Sequence, residues 1–293
     1  MRTFVFTCLL LLGMTTFAQD ANFHIYLCLG QSNMEGNAKV EEQDTVAVDS
    51  RFQVLAAVDC PNLGRTKGNW YKAVPPLARC YTGLTPGDYF GRAMVANLPS
   101  NVRVGIINVA VGGCRIELFD KDNYQFYVET SPDWLKNMVK EYGGNPYARL
   151  VEMAKLAQKD GVIKGILLHQ GESNTNDKDW PLKVKGVYDN LLNDLGLSAA
   201  NVPLLAGEVV HADQNGVCAS MNTIIDSLPQ VIPTAHVISS AGCPAAFDNL
   251  HFTAEGYRML GARYAAKMLS ILGYGDWTSA QNMKLWYNRP AQD

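Results

Sequence analysis

Ile25-Tyr26-Leu27-Cys28-Leu29-Gly30-Gln31-Ser32-Asn33-Met34-Glu35-Gly36 decides how the rest of the chain is read. The apolar run Ile25 to Leu29 has the length of a short buried strand, and Gly30 ends it. A serine then stands among polar residues on the first turn after the strand. Open α/β sheets place their ligands at this carboxyl edge of the strands. The plainer reading of the same residues is a polar loop in which Ser32 or Asn33 caps the next helix.

Four more short apolar runs follow: Val102 to Val109, Gly165 to Leu168, Pro203 to Val210 and His236 to Ser239. Helical patterns separate them. Asp88 is a candidate cap for a helix reaching about Leu98. Asn145-Pro146 pairs an N-cap residue with proline at the first helical position. Pro181 to Leu195 reads as an amphipathic helix, Ser220 to Leu228 as a short one. Thr253 opens a last helix that carries Tyr257, Leu260, Tyr264, Met268 and Ile271 on one stripe. The alternation predicts an α/β fold with a five-stranded parallel sheet and helices on both faces. Residues 37–88 and 119–144, poor in periodicity and rich in aromatics or in Gly and Pro, read as long surface loops.

The 293 residues, 47% of them hydrophobic, suffice for one large domain. A net charge of −3 without a basic stripe argues against a nucleic-acid partner. Met1-Arg2-Thr3, the apolar Phe4 to Leu12 and the small residues of Thr16-Phe17-Ala18 form a cleavable secretory signal over 1–18, too short for a membrane anchor. The expected organisation is that signal, one domain over 19–273, and a C-terminal extension over 274–293. The expected location is periplasmic or extracellular. Cys60 and Cys80 bracket a Pro/Gly-rich loop and are the first pair to test for a disulfide, whereas Cys28 suits a buried strand. No cysteine or histidine spacing supports a metal site.

At the carboxyl edge of a parallel sheet, Ser32 would meet Gly112-Gly113 after strand two, His169-Gln170-Gly171-Glu172 after strand three and Asp248-Asn249-Leu250-His251 after strand five. A serine hydroxyl needs an adjacent base, and His251 suits that role best among five histidines. Asp248 is placed to orient its ring, with Glu172 as the rival carboxylate; the short local link favours Asp248. The N–H groups of Ser32 and Gly113 (or Gly112) and the amide of Gln170 are candidate oxyanion donors. Arg115, Trp70, Tyr71 and Trp134 are candidate sugar contacts. His169 reads as structural, and His211 and His236 receive no role. An α/β-hydrolase elbow, G-x-S-x-G, is excluded by Met34. A phosphate or flavin site is disfavoured by Glu35 and by the lack of a Gly-Lys-Ser run.

Gly30-Gln31-Ser32-Asn33-Met34-Glu35-Gly36, His169-Gln170-Gly171-Glu172 and Asp248-x-x-His251 together resemble the SGNH-type esterases. The likeness is to the carbohydrate-esterase branch holding acetyl xylan esterases and sialic-acid-specific acetylesterases, over roughly residues 22–272. It implies a flavodoxin-like three-layer α/β/α fold, a serine mechanism without cofactor, and removal of acetyl groups from an acetylated polysaccharide or oligosaccharide. By matching motifs it implies Ser32 as nucleophile, His251 as base, and Gly113 and Gln170 as oxyanion donors. The wider pattern's G-D-S and G-x-N-D stand here as G-Q-S and Q-G-E-S-N. A glycan-binding protein without catalysis is the reading from another class.

Overall fold

The computed structural model describes residues 19–275; the 1–18 segment and most of the C-terminal extension lie outside the described residues. Strand β1 (Asp20–Gly30) is the centre of a seven-stranded sheet. The others are β2 (Phe52–Leu55), β3 (Trp70–Lys72), β4 (Arg103–Ala110), β5 (Gly161–His169), β6 (Leu204–Gly207) and β7 (Ala235–Ile238). Their order across the sheet is β3-β2-β4-β1-β5-β6-β7. All neighbours run parallel except β2 and β3. The expected five strands are therefore seven. The two unforeseen ones hold only four and three residues and sit inside the stretch read as a surface loop.

Because successive side chains of a strand point to opposite faces, β1 feeds two cores at once. Phe23, Ile25, Leu27 and Leu29 pack on one face with residues of the helices Pro146–Ala157 and Trp180–Leu195. Tyr26 and Cys28 pack on the other with residues of Pro86–Asn97 and Ala254–Ile271. The result is three layers, helix on sheet on helix. Asn145 and Thr253 cap their helices, accepting from the N–H of Ala148 and Gly256. The Pro86–Asn97 helix starts earlier than expected: Thr85 caps it and Asp88 lies buried against Arg92. On Ala254–Ile271, a Cβ at Gly261 would lie 2.3 Å from the carbonyl oxygen of Pro86, so only glycine lets these helices approach so closely.

Two helices, Tyr124–Thr130 and Asp133–Glu141, occupy the second predicted loop. Cys60 and Cys80 form a disulfide. The neighbouring Arg79 pairs with Glu35, at 2.5 Å, and with Glu141, so it ties the disulfide loop to both the serine turn and the Asp133–Glu141 helix. Among the described residues no helix is long and apolar enough to cross a membrane.

Candidate active site

Gly30 ends β1 at φ +151°, and a Cβ there would fall 2.0 Å from the carbonyl oxygen of His169. This glycine lets the chain turn sharply off the sheet, so that Ser32 opens a one-turn helix, Ser32–Glu35, at the carboxyl edge. The serine hydroxyl lies 2.9 Å from Nε2 of His251, and Nδ1 of His251 lies 2.7 Å from Oδ2 of Asp248. A carboxylate only accepts, so the ring proton sits on Nδ1 and the Nε2 lone pair faces the serine. The other carboxylate oxygen, Oδ1, accepts from the N–H groups of Leu250 and His251, each at 3.0 Å. Burial pulls the Asp248 carboxyl up, but the His251 hydrogen bond and these two N–H groups outweigh it and hold it below the usual range.

Glu172 lies elsewhere. Its carboxyl is buried, and Oε1 accepts from the side-chain amide of Asn33. No hydrogen bond joins it to His251 among the described residues. Burial pushes its carboxyl up against the pull of the Asn33 bond. The same Asn33 amide donates to the carbonyl of Leu250 at 3.0 Å, and its oxygen accepts from Tyr257 at 2.6 Å. Asn33 thus fastens the serine turn to the histidine loop, a part the sequence reading gave only to a cap. The signal was present in the polar trio Gln31-Ser32-Asn33.

Gly112 and Gly113 lie beside the serine. A Cβ on Gly112 would stand 3.8 Å from that of Ser32, and the Gly112 N–H donates to the Glu35 carboxylate. Gly113 adopts φ +70°, with the Trp134 ring against it. Among the described residues the N–H groups of Ser32 and Gly113 have no backbone acceptor. Gln170 departs from its expected part. Its amide is fully buried and donates to Asn174 Oδ1 (2.8 Å), Gln31 Oε1 (3.1 Å) and the Cys114 carbonyl (3.3 Å), while its oxygen accepts from Trp180. Both hydrogens are consumed in holding loops together.

The sugar-contact candidates divide. Trp134 is 53% exposed beside Gly113. Arg115 is close by, but its guanidinium faces Glu117 and Asp177 at 3.4 and 3.5 Å. Trp70 and Tyr71 are misplaced by the sequence reading. They lie on β3; the Trp70 ring packs tilted against Phe23, centroids 4.8 Å apart, at the amino end of β1, and its Nε1 donates to Asp160. The Tyr71 hydroxyl accepts from Thr66 on the same side excursion. Phe247, fully exposed next to Asp248, was not singled out.

A family model for carbohydrate esterases, described as sialic acid-specific acetylesterase, matches residues 22–270. The chain belongs to this carbohydrate esterase family. A probable carbohydrate esterase of Arabidopsis thaliana is 25% identical in a 264-position alignment that covers 84% of this chain and 90% of the relative. An Arabidopsis thaliana crystal structure superimposes with a TM-score of 0.65 at 21% identity, covering 86% of this chain and 99% of that one. NanS gives 0.62 at 14% identity, with 88% and 99% covered. A carbohydrate acetylesterase of Xanthomonas citri gives 0.58 at 18% identity, covering 84% of this chain and 56% of that longer one. The solved structures share the three-layer fold of this esterase family.

His169, at the end of β5, stands behind the site. It is fully buried, and burial pushes its imidazole from 6.5 down to about 3. The unfolded chain therefore takes up a proton between those values that the folded chain does not, and folding stability drops as pH falls below 6.5. His169→Asn removes this dependence. The stability advantage of wild type over the variant is expected to shrink by about 1.4 kcal/mol per pH unit below 6.5. Urea denaturation at pH 7 and pH 5 measures it; a constant difference would mean that His169 is protonated in the fold.

Proposed function

We propose that this chain is an exported carbohydrate O-acetylesterase that works through an acetyl-enzyme on Ser32. The observation that carries the reading is the line Ser32–His251–Asp248, at 2.9 and 2.7 Å, at the carboxyl edge of the central strands. In this mechanism Ser32 Oγ attacks the acetyl carbonyl carbon while His251 Nε2 takes its proton. The oxyanion forms against the N–H groups of Ser32 and Gly113. As the intermediate collapses, the C–O bond to the sugar breaks and His251 returns the proton to the departing sugar hydroxyl. Water, deprotonated by the same histidine, then cleaves the acetyl-serine and releases acetate. Asp248 holds the ring and stabilises the imidazolium. Such a reaction requires no cofactor.

The sugar is proposed to be acetylated xylan or its oligosaccharides. Flat aromatic faces suit pyranose rings, and Trp134 against Gly113 offers one beside the serine. A sialic acid brings a carboxylate that calls for a cation, and Arg115 is already matched by two carboxylates. The family's description favours the second reading, a sialate O-acetylesterase. Acetate release from acetylated xylo-oligosaccharides and from 9-O-acetylated sialic acid at equal concentration separates the two. Faster release from xylan is expected, and faster release from the sialic acid would overturn the choice. Residues 1–18 are proposed as the export signal, consistent with the Cys60–Cys80 disulfide, which persists where thiols oxidise.

A further inference from the structure

Gly112 and Gly113, whose turn carries one of the oxyanion donors, are two glycines in succession, and such a pair has no stiffness of its own. Its anchors are therefore informative. After the turn, the Gly113 carbonyl accepts from the Ser173 hydroxyl at 3.0 Å and the Cys114 carbonyl from Gln170 at 3.3 Å. Before it, the Val111 N–H donates to the Gly30 carbonyl at 3.1 Å. Between these points the Gly112 N–H has no backbone acceptor among the described residues and faces the Glu35 carboxylate.

That carboxylate is built into the turn. Glu35 is 8% exposed, and a Cβ on Gly112 would stand 2.9 Å from its Oε2, so any side chain there would push it away. Arg79 donates to the other oxygen, Oε1, from Nε at 3.2 Å and from Nη2 at 2.5 Å. With Oε1 so occupied, Oε2 is left for Gly112. The Nη1 of Arg79 donates to Glu141, and the next residue, Tyr142, donates to the Ala110 carbonyl at the end of β4, at 3.2 Å. A buried carboxylate so near an oxyanion would oppose it, and the more so the less polar its surroundings. The guanidinium against Oε1 offsets that charge.

We propose that Glu35 and Arg79 are a positioning pair for the reaction. Glu35 fixes the Gly112–Gly113 turn so that the Gly113 N–H meets the oxyanion, and Arg79 aims Glu35 and offsets its charge. This rests on the acetyl-enzyme reading above. Neither side chain touches the substrate. Glu35 closes the one-turn helix that Ser32 opens, so one short segment sets both the nucleophile and the turn that receives the oxyanion.

The test uses Glu35→Gln, which keeps the size of the side chain. Its single oxygen is claimed by the guanidinium, which sets its NH₂ against the Gly112 N–H, donor facing donor. Arg79→Met is the second variant, since it leaves the carboxylate free to swing away from the turn. On p-nitrophenyl acetate each is expected to lose about 10- to 100-fold in kcat with little change in KM. The deciding readout is the rate ratio between p-nitrophenyl acetate and p-nitrophenyl thionoacetate, whose sulfur accepts hydrogen bonds poorly. A misaimed Gly113 N–H penalises the oxygen ester more, so this ratio is expected to fall at least about fivefold in both variants. The ratio does not depend on the fraction of enzyme folded. A merely structural role would lower the yield or the melting temperature and leave the ratio where it was. A smaller fall in either variant, whatever the loss of rate, would overturn the proposal. Ser32→Ala, run alongside, separates the two layers. Full activity there would remove the serine mechanism itself, whereas an inactive Ser32→Ala beside an unchanged ratio would remove only the role of Glu35 and Arg79.

Discussion

Ser32→Ala is expected to lower kcat on an aryl acetate by roughly 10⁶-fold, the loss seen when a serine hydrolase is stripped of its nucleophile. The effect is large because no neighbour can substitute. Asn33 is bound to Glu172, Leu250 and Tyr257, and the carboxylate of Glu35 to Arg79 and Gly112. The fold should survive, since the serine side chain makes one hydrogen bond, to His251, worth about 1 kcal/mol. Unchanged thermal unfolding with kcat lowered by roughly 10⁶-fold, leaving only the residual catalysis that oxyanion donors and binding supply, is the expected pair of results. Retention of a tenth of the wild-type turnover would show that another group attacks the ester.

Asp248→Asn should be the next largest loss, roughly 10⁴-fold in kcat. An asparagine presents either an oxygen that leaves the imidazolium without its counter-charge or an NH₂ that forces the proton to Nε2. In the second case the ring can no longer accept from Ser32. Glu172→Gln, made alongside, is expected to cost less than about tenfold. Burial already favours the neutral carboxyl at Glu172, and a glutamine oxygen can still accept from Asn33. A folded Asp248→Asn enzyme with near-normal kcat, beside an inactive Glu172→Gln, would give Glu172 the orienting role.

The central strand and the motifs at its edge were legible because each is local. Ile25 to Leu29 shows its burial in composition alone, and Gly30 marks the turn that its φ requires. Asp248 and His251 are three residues apart, so their contact is nearly a property of the loop. What was not legible depends on pairing across long separations. The Phe52–Leu55 and Trp70–Lys72 strands are too short to show a period; the first forms on the edge that β4 offers, and the second on the edge of the first. Trp70 looked like a sugar contact because an aromatic in a Gly-rich stretch gives no sign of which end of the sheet it reaches; Phe23 claims it. Gln170 and Gln31 are the same residue type facing each other, and only the direction of their hydrogen bond shows which of them donates.

The bond from Asn33 to Leu250 spans 217 residues, and the contact of Ser32 with His251 spans 219. Ser32 is thus synthesised 219 residues before the histidine that it meets. On the proposed mechanism, a chain not yet extended to residue 251 holds Ser32 without the base that would activate it, and a fragment that stops short of that residue is expected to be inactive. Hydrolysis would then wait until the loop that carries His251 closes onto the turn after β1, so activity would report that this long-range contact has formed.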